Sequence, residues 1–203
     1  MEKYEQEQLL AKARILVEQR LGHDSSGHDS QHIFRVVKLA LHIASLVEEE
    51  VNLFLLEMVC LLHDLDDPKI TRQDAKIVDN FFQENGVVLY YQVMIKDMID
   101  RLSYSSTKIG IRQEMIEGKI AQDADRLDAI GAVGIARAFA YGGSKNRKID
   151  GEEADVTLRH FDDKLLKLKD LLNLKQSKKI AENRHEFMVA FLKQYDDEIN
   201  IKK

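Results

Sequence analysis

The stretch Val51-Asn52-Leu53-Phe54-Leu55-Leu56-Glu57-Met58-Val59-Cys60-Leu61-Leu62-His63-Asp64-Leu65 is apolar around most of a helical circumference and then runs into two ionisable residues. A helix that is hydrophobic nearly all round belongs in the centre of a core. The reading is therefore one central helix over residues 51–65, closed by Asp66-Asp67-Pro68, because a proline disfavours helical geometry at the residue before it. Asn52, Glu57 and His63 interrupt the run, so it does not read as a membrane span. The end of this helix carries the question. Burying an unpaired carboxylate is expensive, so Asp64 needs a partner, and a metal ion is one. Adjacent helical residues point about 100° apart. His63 and Asp64 can share an ion only at the helix edge, with other helices supplying the rest. A His-Asp pair by itself is a weak signal.

Outward from this helix the pattern stays helical. Residues 3–21 carry Leu9, Leu10, Ala13, Leu16 and Val17 at helical spacing, and Gly22 stops them. After a polar loop, Asp29 or Ser30 can cap a helix bearing Ile33, Val36, Val37, Ala40, Leu41, Ala44 and Val47. Further helices are expected over 71–85 and 87–103, with a polar break at 103–107. Next come 112–122 and 123–141, or one helix kinked between them. The clearest long loop is 141–151, with Gly142, Gly143, Ser144, Asn146 and Gly151. Residues 157–199 read as two amphipathic helices. No alternation of period two is long enough for a sheet, and there is a single proline, a breaker of helix interiors. The fold class is all-α.

Composition narrows the function. The 203 residues are 44% hydrophobic and 32% charged, which supports a real core. The net charge of −5 argues against an extended duplex-binding surface, so nucleic acid is not the expected partner. Short basic runs at 145–148 and 175–179 read as solvated surface. Cys60 is the sole cysteine, so no intrachain disulfide can form, and it reads as a small buried hydrophobe. The first seven residues are too acidic and polar for a signal peptide, and the expected location is the cytoplasm.

Two segments join His63-Asp64 as candidate chemistry. In His28-Asp29-Ser30-Gln31-His32-Ile33-Phe34-Arg35-Val36, a cap at Asp29 or Ser30 puts His32 in the first helical turn. His28 and His32 have the i, i+4 spacing of a helical zinc pair, but there is no His-Glu-x-x-His. The second is Asp123-Ala124-Asp125-Arg126-Leu127-Asp128-Ala129-Ile130, where Asp125 and Asp128 share a helix face. Acids of an N-terminal turn would account for Asp123, and less well for the other two. Gly131 and Gly134 would let a neighbouring helix approach closely.

This ordered set resembles the HD superfamily of metal-dependent phosphohydrolases, and in particular a bacterial subgroup of about 200 residues. The signature is a first His, an adjacent His-Asp and a later Asp on three helices. It is matched by His32, His63-Asp64 and Asp125 at roughly 30- and 60-residue gaps. The likeness extends to Gly27-His28-Asp29, Tyr141-Gly142-Gly143 and the segment from His160 to Leu168. It implies one HD domain over 1–203, a helical bundle with its core at about 22–140 and a C-terminal helical extension at about 157–203. It also implies one divalent ion held by His32, His63, Asp64 and Asp125, with Mn²⁺ the first choice and Fe²⁺, Co²⁺, Ni²⁺ and Zn²⁺ open. Asp64 is then catalytic through the metal. Asp67 is either the proton acceptor beside the attacking water or simply the turn before Pro68. Arg35, Lys69, Arg126 and Asp128 are the expected substrate contacts, each with a structural role as its rival. His160 is a further pocket candidate, with a cap or packing role as the alternative.

The implied substrate is a small phosphate ester or anhydride, above all a (deoxy)nucleotide, with release of pyrophosphate from nucleoside triphosphates as the specific expectation. A nucleotide sensor with little turnover is the alternative. The amphipathic C-terminal helices could pack on the body or on a second subunit as a homodimer.

Overall fold

A computed structural model describes residues 1–67, 76–151 and 156–200. Among the described residues there are helices and no strand, and none of those helices is long and apolar enough to cross a membrane. The chain divides into two compact units: Met1–Asp24 with His28–Ala124, and Ser25–Gly27 with Asp125–Lys203.

In the first unit, α1 (Lys3–Leu21) buries Leu9, Ala13, Val17 and Leu21, a single stripe at four-residue spacing. α2 (Ser30–Ala44) is capped by Asp29, whose side chain accepts from the His32 N–H. α3 (Leu53–Leu62) packs against α1, α2 and α5 (Leu89–Asp100), and is the central helix that its composition implies. It starts two residues later than expected because Asn52 is its cap, accepting from the Leu55 N–H at 3.1 Å. α4 (Ile77–Glu84) begins where both Asp66 oxygens accept from the Ile77 and Val78 N–H groups, at 2.7 and 3.1 Å. That bond pair satisfies two of the donors a helix start leaves open. The expected start of this helix at residue 71 falls outside the described residues.

Residues 103–107, expected as a break, instead form the short α6 (Tyr104–Lys108). The polar residues that suggested a break supply its cap: the Ser103 hydroxyl accepts from the Ser106 N–H at 2.9 Å. α7 (Ile116–Asp128) and α8 (Gly131–Ser144) are separated at Ala129–Ile130, not between Gln122 and Asp123. Asp123 is thus fully buried well inside α7 and is no first-turn acid. Gly131 sits at φ +77, a conformation in which glycine is unstrained, and this lets the chain turn here.

In the second unit, α8 continues four residues into the expected 141–151 loop. Gly142 makes this possible, because a Cβ there would meet the Thr157 hydroxyl at 2.1 Å. The C-terminal part is three elements rather than two: α9 (Arg159–Asp163), a 3-10 helix (Leu165–Leu171) and α10 (Lys175–Ile199). Lys164, at φ −137 and ψ −58, breaks the first from the second. Buried Leu165 and Leu168 stand three apart, the period of the 3-10 helix. α10 packs on α8 and on this 3-10 helix. Phe139, Phe161 and Phe191 cluster there, with ring centroids 6.0 to 6.2 Å apart.

Candidate metal centre

Three histidines meet one carboxylate in the first unit. His32 is fixed by the α2 cap, its N–H donating to Asp29 Oδ1 at 2.7 Å, and it is fully buried. His63 is the C-cap residue of α3. Its Nδ1 lies 2.8 Å from the Cys60 carbonyl oxygen. A carbonyl only accepts, so Nδ1 carries the hydrogen and Nε2 keeps its lone pair. This is the tautomer that a ligand through Nε2 requires, and the carbonyl fixes the ring plane as well. The His32 and His63 rings meet edge to face, 5.5 Å apart.

Asp64 lies between them. Its Oδ2 is 3.2 Å from His28 Nδ1 and 3.5 Å from His32 Nε2, and its Oδ1 is 3.5 Å from His63 Nε2. Burial by itself would raise the Asp64 pKa. The electrostatic influence of His63, hydrogen bonds from His28 and His32, and the electrostatic influence of His32 outweigh it and hold the carboxyl well below its usual range. Ligands at right angles on an ion bound at about 2.1 Å stand about 3 Å apart. The His32 and His63 Nε2 atoms each stand 3.5 Å from an oxygen of the Asp64 carboxylate. Imidazole nitrogens and carboxylate oxygens form the donor set that suits a first-row divalent cation. The residues fit such an ion.

Asp67 follows in the turn, half-buried, its N–H donating to the Asp64 carbonyl at 3.2 Å. Asp125 is half-buried on α7. Arg35 is half-buried on α2, three residues after His32. Lys69 lies outside the described residues. In the second unit Arg126 is buried and its Nη1 donates to the Leu171 carbonyl. Asp128, also buried, accepts from Arg137 Nη1 at 3.0 Å, while Arg137 Nε donates to the Gly27 carbonyl at 2.7 Å. Arg184 donates to the Leu127 carbonyl. Burial lowers the Arg184 pKa, and the charge of Asp128 opposes that. His160 is the second residue of α9, its N–H donating to the Thr157 carbonyl at 3.1 Å.

Sequence reasoning missed two residues that shape this region. Asp66, read only as part of a helix stop, caps α4 from eleven residues away. Glu117 is buried and accepts from the Asn52 N–H at 2.8 Å, holding the start of α3. Neither partner is sequence-local, so no spacing rule would have found them. His28 did carry a signal, its four-residue spacing from His32.

Residues 29–130 match the HD domain family. The chain belongs to that family. A Bacillus subtilis relative, YpgQ, is 39% identical over 194 residues, covering 92% of this chain and 91% of that one. The crystal structure of YpgQ in complex with ADP superposes with a TM-score of 0.78 at 36% identity, over 95% of this chain and 98% of that one. An HD-superfamily hydrolase from Bacillus thuringiensis gives a TM-score of 0.73 at 38% identity, over 97% of this chain and all of the other. The all-helical HD fold read from His32, His63-Asp64 and Asp125 is thereby established.

Proposed function

We propose that this chain is a divalent-metal-dependent phosphohydrolase acting on a small nucleotide. The observation that carries the reading is the convergence of His32, with His63 in its Nδ1–H tautomer, on the Asp64 carboxylate. Asp125 is taken in as the fourth ligand on the HD resemblance. Two anionic ligands then balance a 2+ ion, with Mn²⁺ first and Fe²⁺, Co²⁺, Ni²⁺ and Zn²⁺ as alternatives. When bound, such an ion polarises a phosphoryl oxygen and brings bound water toward hydroxide near neutral pH.

The chain's own residues supply the rest. Asp67, three residues beyond Asp64, is the residue we assign to take a proton from the attacking water. Arg35 and Lys69 are the cations assigned to the phosphates. Arg126 and Asp128 remain the other proposed substrate contacts, with the bonds of Arg126 to the Leu171 carbonyl and of Asp128 to Arg137 supporting the rival structural role of each. The nucleotide class is supported by the ADP complex of YpgQ. Within that class we favour (deoxy)nucleoside triphosphates cleaved to release pyrophosphate, in the cytoplasm. A second copy of this chain is the other partner we propose, through the C-terminal helices. The same complex also favours a second reading, in which the chain binds a nucleotide with little turnover.

The test is phosphate and pyrophosphate release from a nucleotide panel, with Mn²⁺ and then with chelator, for wild type and Asp64→Ala. Turnover that needs both the metal and Asp64, reduced at least about 100-fold without either, is expected. Nucleotide binding without any product would move the function to sensing. Turnover indifferent to Asp64 would sink the metal reading.

A further inference from the structure

His28 is not among the four residues that the HD resemblance assigns to the metal, yet it makes the shortest contact to the Asp64 carboxylate. It stands two residues before α2 begins, and its backbone is tied down by an N–H donated to Asp24 Oδ2 at 3.1 Å. Its ring meets that of His32 edge-on at 6.0 Å. Its Nδ1 is 3.2 Å from Asp64 Oδ2, within hydrogen-bond range, whereas the His32 and His63 nitrogens stand off at 3.5 Å. An ionised carboxylate only accepts, so the hydrogen in this contact belongs to His28 Nδ1. A nitrogen that carries a hydrogen has no lone pair for a cation. The two carboxylate oxygens thereby differ: Oδ2 accepts from His28 and also faces His32 Nε2 at 3.5 Å, whereas Oδ1 faces His63 Nε2 at 3.5 Å and takes no hydrogen bond from His28.

We infer that His28 is a positioning residue for Asp64: its Nδ1–H holds Oδ2, fixing the carboxylate plane so that Oδ1 is presented to the cation. This rests on the metal reading of the site. Hydrogen-bonded partners of metal ligands matter for affinity, because they remove the freedom of the ligand to rotate away.

The chemistry of the side chain provides the test. Asparagine puts an amide N–H where Nδ1 stands, glutamine places it nearer the position of Nε2, and alanine removes it. Mn²⁺ affinity is measured by titration for wild type, H28A, H28Q and H28N, with circular dichroism on each to confirm the fold. Coordinated imidazoles are counted from the nitrogen couplings in the pulsed EPR of bound Mn²⁺. H28A and H28Q should bind Mn²⁺ about 10- to 100-fold more weakly, while H28N stays close to wild type. The nitrogen count should be two in wild type and two in H28N. A third coordinated imidazole that disappears in H28N would overturn the inference by making His28 a ligand. Affinity unchanged in H28A, or H28N as weak as H28A, would overturn it as well. Wild type that takes up no cation would remove the metal centre itself, a failure that is distinct because it appears before any variant is made.

Discussion

Asp64 sits under two opposed influences. Burial alone would favour its neutral form, but the surrounding imidazoles and their hydrogen bonds favour the carboxylate more strongly. The consequence for metal-free protein has a definite sign. Its folded-state pKa lies below the unfolded value of about 3.9, so the stabilisation is fully present above roughly pH 4 and is lost as the pH falls through the folded value. Urea midpoints of wild type and Asp64→Asn, both free of metal, should therefore be furthest apart near pH 5 and draw together as the pH falls below about 4. A gap that stays constant, or widens in acid, would show that the surroundings of Asp64 do not favour its charged form. At this scale, what the sequence disclosed was whatever is local: the Asp29 cap that fixes His32, and the adjacent His63-Asp64. The partners of Asn52 and Gly27 lie 65 and 110 residues away, in Glu117 and Arg137. They follow from packing, which periodicity does not encode.

Helices with strong stripes, such as α1 and α3, were legible because one face or nearly the whole surface is apolar. The errors fall where backbone geometry decides. The separation of α7 from α8 was expected at an acidic residue but lies at Ala129–Ile130, beside glycines that read as small packing residues. Gly131 does pack against a neighbouring helix, since a Cβ there would meet Arg184 of α10 at 3.0 Å. Gly134 serves the turn itself: a Cβ at this position would stand 2.2 Å from the Ala129 carbonyl oxygen. A backbone oxygen cannot rotate aside as a side chain can. Alanine in a helix is otherwise worth about 1 kcal/mol over glycine, so Gly134→Ala is a case in which propensity and geometry disagree. Overpacking of this kind costs about 1–3 kcal/mol, and the variant should be less stable than wild type by urea denaturation. A variant as stable as wild type, or more so, would mean that the junction relaxes freely and that Gly134 does not determine it.

For the whole molecule, composition excluded more than it specified. The net charge of −5 turned attention from duplexes to small anions, while the identity of the chemistry came from an ordered set of polar residues within apolar helices. A metal bound by native residues also has a thermodynamic signature independent of catalysis. His32, His63 and Asp64 are brought together by α2 packing on α3, and the unfolded chain does not hold them so. A cation therefore binds the native state in preference and stabilises it by mass action. At a free concentration 100 times Kd this amounts to about 2.7 kcal/mol, which for a chain of this size raises Tm by about 5–10 °C. With 35 acidic residues, weak binding elsewhere on the surface must be separated from this effect. Asp64→Ala makes that separation, because it leaves the other 34 in place. Scanning calorimetry should show the Mn²⁺-dependent rise in wild type, its reversal by chelator, and no rise in Asp64→Ala. A rise of equal size in the variant would assign the stabilisation to surface carboxylates and leave the centre at His32, His63 and Asp64 without thermodynamic support.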